Sequence, residues 1–474
     1  MDELTKGRRT AELAKTNPEL GKPFERILVA NRGAIARRIM RSAKAIGVST
    51  VAVYSDVDEG LPHMEEADKA VNLSGSAASE TYLNVAAILE AARVCGADAV
   101  HPGYGFLSED PDFAQAVTDA GLTWVGPRAE SIRLLGDKVS ARNHMASVGL
   151  AVAAGSTTVL DSLDASITAA REVGYPVIVK AVAGGGGIGM AVASDEVELR
   201  AAYESASAAA ARFFGDERVM VERFVTRARH IEVQILGWGD GEVVTLGERD
   251  CSVQRRNQKI VEETPAPRLA ASTRESMQSL AAAAVRAANY ANAGTIEFLL
   301  DNDTGEFSFL EMNTRLQVEH GITEMVTGVD LVEQQMRIAA GQSLSFDPKS
   351  VINEGHAIEL RLYAEDPIRF IPSPGRITQW KEPVGDGIRV ESGYRAGSVV
   401  SHFYDPMLAK LIVWGESRGD CLRRARAACD SFRVEGIRTN LPLLAALLEH
   451  DDFCAGNYET SVVDKIARSS IATS

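Results

Sequence analysis

The chain has 474 residues, 45% of them hydrophobic and 24% charged, and this balance predicts an ordinary globular enzyme of about two to four domains. Its formal net charge of −15 argues against non-specific binding to nucleic acid or to an anionic membrane, so a site for phosphate-like anions must carry its own cations. Five cysteines without metal-ligand spacing fit a reducing compartment. The sequence has no apolar run long enough to span a bilayer and no signal peptide, so we predict a cytoplasmic protein.

The N-terminal part of the chain predicts an α/β region. Residues 1–23 are polar and predict only a tail. Short apolar strands are then predicted at 27–30, 50–54, 99–100 and 123–125, and helices at 34–46 and 85–94. Strands that alternate with helices predict a mostly parallel sheet.

The remainder of the chain predicts a second α/β module followed by a strand-rich region. In the module, helices are predicted at 138–148, 163–173 and 196–213, and strands at 177–180 and 219–222. Further on, strands are predicted at 231–237, 242–248, 295–300 and 306–312, and helices at 270–291 and 328–340. After Gly355, short strands and one helix at 421–432 are predicted.

The first chemical signal is the run KAVAGGGGIGM at 180–190, which has five glycines within six positions. A strand ending in Lys180 before such a loop suits nucleotide phosphates, because backbone N–H groups can surround the oxygens and the lysine adds a charge. A flexible hinge or hairpin explains the loop equally well. The spacings of a Walker P-loop and of a dinucleotide-binding fingerprint are both absent from it.

The second signal is a predicted β-hairpin with an Asp-Thr-Gly turn. Folding at this turn brings Glu297 close to Glu311, and Asn313 shares the face of Glu311 because side chains alternate along a strand. Two carboxylates and an amide oxygen are hard ligands of the kind that Mg²⁺ takes beside substrate phosphates. For any single glutamate, a solvated strand face is the simpler explanation.

The acidic segment continues with a regular pattern. Glu311, Asn313, Arg315, Gln317 and Glu319 occupy successive odd positions, and the even positions between them are mostly apolar. If the segment is extended, these five side chains form one row, which is unusual for a purely solvated face.

The third signal is the segment ERDCSVQRRNQK at 248–259. It contains four basic residues, which stand out in such an acidic chain. A basic cluster is usually a solvated surface, but this one can supply the anion site that the overall charge requires.

Together these segments resemble the ATP-grasp biotin carboxylases over nearly the whole chain, from Arg26 to about Asp464. The likeness rests on ILVANRG (27–33), HPGYGFLSE (101–109), GDKVS (136–140), the glycine loop, RHIEVQ (229–234), 248–267, EMNTRLQVEH (311–320), AEDP (364–367) and PSPG (372–375). The resemblance implies a fold of the α/β and α+β classes. The implied domains are an N-terminal parallel α/β (pre-ATP-grasp) domain at 24–137, an ATP-grasp domain at 138–355 with a mobile lid at about 152–225, and a C-terminal biotin carboxylase domain at 356–466.

The resemblance also implies a role for each matching residue. The implied ATP contacts are Lys138, Lys180, Gly185, Gly186, Gly187, Gly189, Met190, Glu222, Arg223, Val225, His230, Gln254, Asn257, Glu297 and Glu311. The implied ligands of Mg²⁺ or Mn²⁺ are Glu297, Glu311 and Asn313. The implied bicarbonate pocket is Lys259, Arg315, Gln317 and Val318. The implied general base is Glu319, and the implied biotin contacts are Tyr104 and Arg361, of which Arg361 stabilises the biotin enolate.

The implied reaction is the carboxylation of biotin at the expense of ATP. Glu319 removes a proton from bicarbonate, which attacks the γ-phosphorus, and the resulting carboxyphosphate breaks down to CO₂ and phosphate. The chain has no Met-Lys-Met biotin-attachment segment, so we expect a biotin carboxyl carrier protein and a carboxyltransferase on other chains or in missing domains of a longer enzyme. The resemblance also implies a homodimer.

Three positions depart from the pattern of acetyl-CoA-type members. Ile188 replaces a basic residue, Asn257 replaces histidine and Gly321 replaces proline. These changes, together with FYDPMLAK at 403–410, resemble the biotin carboxylase domain of urea carboxylases. Urea, guanidine and an acyl-CoA stay open as the final acceptor.

Two other functions are compatible with parts of the sequence. One is an ATP-grasp ligase that joins a carboxylate to an amine, against which the set Lys259, Arg315, Glu319 and Arg361 argues. The other is a degenerate ATP-binding scaffold, which Ile188 and Asn257 favour. Bicarbonate-dependent ATP hydrolysis that rises with free biotin separates all three.

Overall fold

A computed structural model describes residues 20–156, 158–182, 189–239 and 241–466. Within these ranges, no helix is long and apolar enough to cross a membrane.

The N-terminal region is a parallel sheet covered by helices, as predicted. Its strands are β1 (Arg26–Val29), β2 (Ser49–Tyr54), β3 (Lys69–Asn72), β4 (Ala99–His101) and β5 (Thr123–Trp124). Its helices are α1 (Gly33–Ala45), α2 (Pro62–Glu66), α3 (Val85–Cys95), α4 (Pro111–Asp119) and α5 (Ala129–Gly136). The strand order is β3-β2-β1-β4-β5, with every neighbouring pair parallel. The order reverses between β1 and β4, and the crevice beyond the carboxyl ends of such strands is where ligands bind in sheets of this type.

The next region is a small antiparallel sheet with its own apolar core. Helix α6 (Lys138–Ser147) precedes it, and its own elements are α7 (Leu163–Val173), β6 (Val177–Ala181), β7 (Met190–Ala193), α8 (Glu196–Phe214) and β8 (Val219–Arg223). The strand order is β7-β6-β8, and Ile167, Val179, Leu199 and Val221 pack together beneath it.

The rest of the chain builds a large antiparallel sheet. Its central elements are β9 (Ala228–Trp238), β10 (Glu242–Arg255), β11 (Gln258–Thr264), α9 (Ala271–Ala287), β12 (Asn292–Asp301), β13 (Phe307–Asn313), α10 (His320–Thr327) and α11 (Leu331–Ala339). The C-terminal elements are β14 (His356–Tyr363), β15 (Gly375–Arg376), β16 (Gln379–Lys381), β17 (Ile388–Ser392), β18 (Val399–Val400), β19 (Met407–Gly415), α12 (Arg418–Ser431), β20 (Arg433–Glu435), α13 (Leu441–Glu449) and α14 (Asp451–Cys454).

This large sheet runs across the predicted domain boundary at residue 355. Among the described residues its order is β13-β12-β9-β10-β11-β14-β19-β17, and each neighbouring pair is antiparallel. The acidic hairpin β12–β13 is therefore joined through β9, β10 and β11 to β14, which carries Arg361. A continuous sheet holds these distant segments of sequence in a fixed relation.

Several helices differ from the sequence prediction, and α2, α4, α5, α10, α13 and α14 were not predicted at all. The helix predicted at 270–291 ends at Ala287, because Asn289 adopts a left-handed φ of 46° and the chain turns back into β12. Tyr290 stabilises this turn, since it is buried and its hydroxyl donates to the Ala293 carbonyl at 2.8 Å. Helix α10 was not predicted, because its residues follow the alternating segment that suggested an extended chain.

Candidate active site

A cleft of about 1050 Å³ lies where the N-terminal sheet, the small sheet and the large sheet meet. Asn31 and Tyr104 reach it from the loops that follow β1 and β4, on the crevice side of the parallel sheet. The side-chain nitrogen of Asn31 donates to the carbonyls of Pro102 and Tyr104, at 2.7 and 2.8 Å. These two loops are thereby fixed to each other at one wall of the cleft.

The acidic hairpin forms the floor of the cleft. Strands β12 and β13 pair so that Glu297 stands directly opposite Glu311, which confirms the predicted hairpin. Burial and the neighbouring Glu297 carboxylate raise the pKa of Glu311. Burial acts in the same direction on Glu297, but Lys259 and His230 outweigh it and hold the pKa of that carboxyl far below its usual value. The pair thus concentrates negative charge at one point of the cleft.

Lys259 lies at the centre of three carboxylates. Its Nζ is 2.7 Å from Glu232, 2.8 Å from Glu297 and 2.7 Å from Glu319. Burial alone would lower the pKa of Lys259, but the acidic groups around it raise the pKa well above its ordinary value. The lysine is therefore a fixed cation.

The turn between β10 and β11 places Lys259 in the cleft. Its two residues, Arg256 and Asn257, have φ of 49° and 64°, the left-handed pair that a tight hairpin needs and that asparagine tolerates well. The basic segment is thus a β-hairpin whose second strand carries Lys259 into the site, while Arg256 and Asn257 at its tip are exposed.

Glu319 is completely buried beneath the cleft, between two cations. Its Oε1 meets Lys259, and its Oε2 accepts a hydrogen bond from Arg361 Nη2 at 2.9 Å. Burial would raise the pKa of Glu319, but Lys259, Arg361 and Arg249 together hold it well below the usual range. Glu319 is therefore a carboxylate at neutral pH.

The segment 314–319 is not extended, so the predicted single row of five side chains is wrong. Strand β13 ends at Asn313, and Glu319 is the residue directly before helix α10. Arg315 instead gathers its neighbours, because its guanidinium donates to Asn313 at 2.8 Å, to Gln317 at 3.1 Å and to Glu109 at 2.8 Å. The turn therefore clusters Asn313 and Gln317 around Arg315, whereas an extended strand would have placed these side chains in a row.

Two lysines and an arginine surround Glu222 on the opposite wall. Lys180 Nζ lies 2.5 Å from Glu222 Oε2, and Arg142 Nη1 lies 2.9 Å from Oε1. Lys138 Nζ donates to the carbonyl of Ala181 at 3.2 Å. Burial would raise the pKa of Glu222, but Lys180 and Arg142 lower it. Ion pairs in this wall thus connect helix α6 and strand β6 to Glu222 on β8.

His230 on β9 joins the neighbouring strands β12 and β10 through its two ring nitrogens. Its Nε2 lies 2.8 Å from Glu297 Oε2, and its Nδ1 lies 2.7 Å from Gln254 Nε2. Burial opposes protonation of the ring, but the carboxylate of Glu297 outweighs it and raises the pKa of His230.

The structure brings nearly all of the described predicted site residues to this one cleft. Those that line it are Tyr104, Lys138, Lys180, Met190, Glu222, Arg223, Val225, His230, Gln254, Asn257, Lys259, Glu297, Glu311, Asn313, Arg315, Gln317, Val318 and Arg361. Glu319 lies below the surface of the cleft, and Gly189 is not among the lining residues. Gly185, Gly186 and Gly187 lie outside the described residues, as does Ile188.

Several charged residues in or beside the cleft had no predicted role. Glu109, Glu232, Arg249 and Glu262 lie within the sequence motifs quoted above, but nothing in those motifs distinguishes their charges from surface charges. Arg142 follows Lys138 by four residues on α6, a spacing that places two cations on one helix face and gives a usable signal. Burial and Glu319 raise the pKa of Glu262 to about 7, against the lowering effect of Arg361.

Comparisons with known proteins agree with this geometry. The family model "Biotin carboxylase, N-terminal domain" matches residues 23–132, "Carbamoyl-phosphate synthase L chain, ATP binding domain" matches 137–346, and "Biotin carboxylase C-terminal domain" matches 359–465. The biotin carboxylase of Halalkalibacterium halodurans is 46% identical over 440 residues, which cover 93% of this chain and 97% of that one.

The chain belongs to the biotin carboxylase family.

Solved structures of biotin carboxylases share the fold. The Campylobacter jejuni biotin carboxylase in complex with β-γ-ATP superposes with a TM-score of 0.91 at 41% identity, covering 93% of this chain and 99% of that one. The biotin carboxylase domain of Hydrogenobacter thermophilus 2-oxoglutarate carboxylase, a dimer with MgADP, ADP and bicarbonate, also gives 0.91 at 41% identity, with coverage of 93% and 97%. The predicted fold class is confirmed. The predicted activity, an ATP-dependent ligase that carboxylates biotin with ATP, Mg²⁺ and bicarbonate, is confirmed as that of this biotin carboxylase family.

Proposed function

We propose that the cleft carries out the first half-reaction of a biotin-dependent carboxylase with the residue roles given above. The observation that carries the proposal is the position of Lys259, whose Nζ lies within 2.8 Å of both the acidic hairpin at Glu297 and the buried carboxylate of Glu319. The acidic hairpin for a metal-bound nucleotide, the cation for an anion and the carboxylate that can accept a proton thereby lie next to one another.

The residues of the hairpin fit a divalent cation. Glu297 and Glu311 are hard oxygen donors placed opposite each other, and their mutual repulsion favours a cation between them. The amide of Asn313 lies beside them, with its Nδ2 donating to Glu297 at 3.0 Å. These three residues would hold Mg²⁺, which when bound reduces the negative charge on phosphoryl oxygens.

The nucleotide would lie between the hairpin and the opposite wall. Lys138, Lys180 and His230 present positive or hydrogen-bonding groups to this space, and all three line the cleft. Fixed cations that are already in place when the phosphoryl group is transferred lower the barrier without reorganisation. We also propose that the small sheet, which has its own core, closes over the nucleotide as a lid.

Bicarbonate would bind against Lys259 and Arg315, with Gln317 and Val318 completing its pocket. Glu319, held as a carboxylate, would accept the proton of bicarbonate, and the freed oxygen would attack the γ-phosphorus of ATP with loss of ADP. The carboxyphosphate so formed would give CO₂ and phosphate. The phosphate would then remove the N1 proton of biotin, and N1 would take up CO₂.

Arg361 and Tyr104 would receive biotin. The Arg361 guanidinium is buried and forms ion pairs with the carboxylates of Glu262 and Glu319. Its orientation is therefore fixed before a ligand arrives. A fixed guanidinium is suited to the oxygen of a biotin enolate. Because Arg361 also holds Glu319, the same cation would serve both halves of the reaction.

The partners and the acceptor form the finer part of the proposal. We propose a biotin carboxyl carrier protein, a carboxyltransferase and a homodimeric assembly, supported by the dimer named for the Hydrogenobacter thermophilus domain. The motifs around Asn257, Gly321 and 403–410 favour a urea carboxylase-type acceptor over an acyl-CoA. A Cβ at Gly321 would lie 2.4 Å from Ile412 Cδ1, so a larger residue there would require the Ile412 side chain to move.

The decisive experiment is the assay of ATP hydrolysis with and without bicarbonate and free biotin. We expect hydrolysis to depend on bicarbonate and to rise with free biotin. A rate of ATP hydrolysis that does not depend on bicarbonate would contradict the proposal. Nucleotide binding without turnover would favour a scaffold role. Purification of the chain with its carrier and carboxyltransferase, followed by carboxylation of urea and of acyl-CoA substrates, identifies the acceptor.

A further inference from the structure

A short loop at the mouth of the cleft, residues 366–371, exposes two large apolar side chains. Ile368 is 62% exposed and Ile371 is 58% exposed. A single exposed isoleucine needs no explanation, but two within four residues beside a ligand cleft form a candidate contact surface. We call residues 366–371 the mouth loop.

The mouth loop is held in shape by its own hydrogen bonds. Asp366 Oδ1 accepts from the backbone N–H groups of Ile368 at 3.0 Å and Arg369 at 2.8 Å. The backbone of Asp366 also pairs with that of Ile371 and Phe370, each at 2.9 Å. The two isoleucines therefore point outwards from an ordered turn, and their exposure costs little further ordering when a partner binds.

The mouth loop also contacts the hairpin formed by β10 and β11, which carries Lys259. The Arg255 guanidinium lies 4.6 Å from the centre of the Phe370 ring and 2.9 Å from Glu365 Oε2. Arg255 ends β10, four residues before Lys259, and both Arg255 and Phe370 line the cleft. Phe370 has a φ of 59°, which a bulky residue rarely adopts and which in folded proteins is concentrated at functional positions.

Basic side chains flank the two isoleucines. Arg369 and Arg256 are exposed, and Arg438, whose side chain is 72% exposed, forms an ion pair with Asp366. Three exposed arginines around one loop contrast with the net charge of −15 of the whole chain. The surface thus combines an apolar centre with a basic rim, which suits a protein partner with an apolar contact and acidic residues around it.

We propose that the mouth loop docks the carrier protein that presents biotin, with Ile368 and Ile371 as its apolar contact and the arginines steering an acidic carrier surface. The inference rests on the proposed function, since that function requires biotin to enter this cleft toward Arg361. The carrier is favoured over a second copy of this chain because the loop adjoins the cleft directly, with Phe370 among the residues that line it.

The test compares two forms of the same substrate. The double variant Ile368→Ser/Ile371→Ser and the wild type are assayed with free biotin and with a purified, biotinylated biotin carboxyl carrier protein. The matched control is Ile352→Ser, which changes an isoleucine that is 67% exposed. Ile352 precedes β14 whereas the mouth loop follows it, so roughly 25 Å of strand separates them.

We expect kcat/KM for the biotinylated carrier to fall by about tenfold or more in the double variant, because apolar anchors dominate such contacts. Bicarbonate-dependent ATP hydrolysis with free biotin should stay within about twofold of wild type, as should both activities of Ile352→Ser. Raising the ionic strength should lower kcat/KM for the carrier and not for free biotin.

Equal losses with the two substrates would mean that the loop only supports the cleft, and an unchanged kcat/KM for the carrier would overturn the docking surface. A change of oligomeric state in the double variant, with carrier activity retained, would assign the surface to a second copy of the chain. Wild-type protein that shows no biotin-stimulated hydrolysis would instead refute the proposed function, so the two failures are distinct.

Discussion

Lys259 Nζ lies 2.7 Å from Oε1 of Glu319, and the lysine faces the cleft while the glutamate is wholly buried behind it. The cation of Lys259 therefore lies at the surface of the cleft, and the carboxylate of Glu319 lies directly behind it. An anion held by Lys259 is therefore next to a group that can take its proton.

Replacement of Glu319 by glutamine tests this pair. Glutamine keeps the shape of the side chain but cannot serve as a base, so we expect bicarbonate-dependent turnover to fall by about 10²–10⁴-fold. Nucleotide affinity, measured by calorimetry, should remain near wild type, because Glu319 does not line the cleft. A loss of nucleotide binding, or a much smaller loss of rate, would show that the base lies elsewhere.

Replacement of Lys259 by alanine should chiefly affect bicarbonate. Removal of the cation leaves Glu232, Glu297 and Glu319 facing one another and deprives the anion of its main partner. We expect KM for bicarbonate to rise by about 10- to 100-fold, the range for a charged hydrogen bond. Steady-state ATP hydrolysis against bicarbonate concentration measures this. An effect confined to KM for ATP would contradict the assignment.

The acidic pair predicts a metal requirement. In Glu311→Gln one of the two opposed carboxylates is lost, and we expect the Mg²⁺ concentration for half-maximal ATP hydrolysis to rise by about tenfold. Glu306→Gln is the matched control, because Glu306 is exposed in the turn of the same hairpin. Titration of Mg²⁺ after treatment with a chelator measures both. Equal responses of the two variants would refute a metal role for Glu311.

Arg142 provides a prediction that the sequence did not suggest. It holds Glu222 at 2.9 Å and lines the cleft, so Arg142→Gln should loosen the wall formed with Lys180. We expect KM for ATP to rise by about tenfold while KM for bicarbonate stays unchanged. Arg133→Gln, a change of an arginine whose side chain is 48% exposed, is the control. A matching rise in both Michaelis constants would argue for a general distortion of the cleft instead.

Glu263 predicts a pH dependence of stability outside the active site. It is buried and lies 2.6 Å from His356 and 2.7 Å from Arg418. Burial would raise its pKa, but these two partners lower the pKa from 4.5 to about 2. The folded state therefore binds this proton less readily than the unfolded state, and the stability it contributes is present above pH 4.5 and lost as the pH falls toward 2.

The variant Glu263→Gln should consequently be less stable than wild type at pH 7, on the order of 2–3 kcal/mol. Urea unfolding followed between pH 7 and pH 3 should show this difference shrinking as the pH falls. A difference that is constant with pH would mean that packing, and not charge, accounts for the loss.

Local patterns determined a large part of this protein. The alternation of strands and helices gave the parallel sheet, and the Asp-Thr-Gly turn gave the hairpin that sets Glu297 opposite Glu311. Both depend on neighbours in sequence, because turn chemistry and side-chain alternation act over a few residues. The helix at 270–291 was overextended at its end, where buried Tyr290 forces a turn that alanine-rich sequence does not reveal.

By itself, the sequence determined the family, the hairpin of carboxylates and a set of residues nearly all of which line the cleft, because these lie in short motifs whose residue types suit one chemistry. Only the tertiary structure decided how Arg315 gathers Asn313, Gln317 and Glu109, that Glu319 is buried between Lys259 and Arg361, and that Arg142 joins Glu222. These contacts join residues that are far apart in the chain or lie across a turn. Their charges acquire definite roles only when packing removes water and brings them within hydrogen-bonding distance.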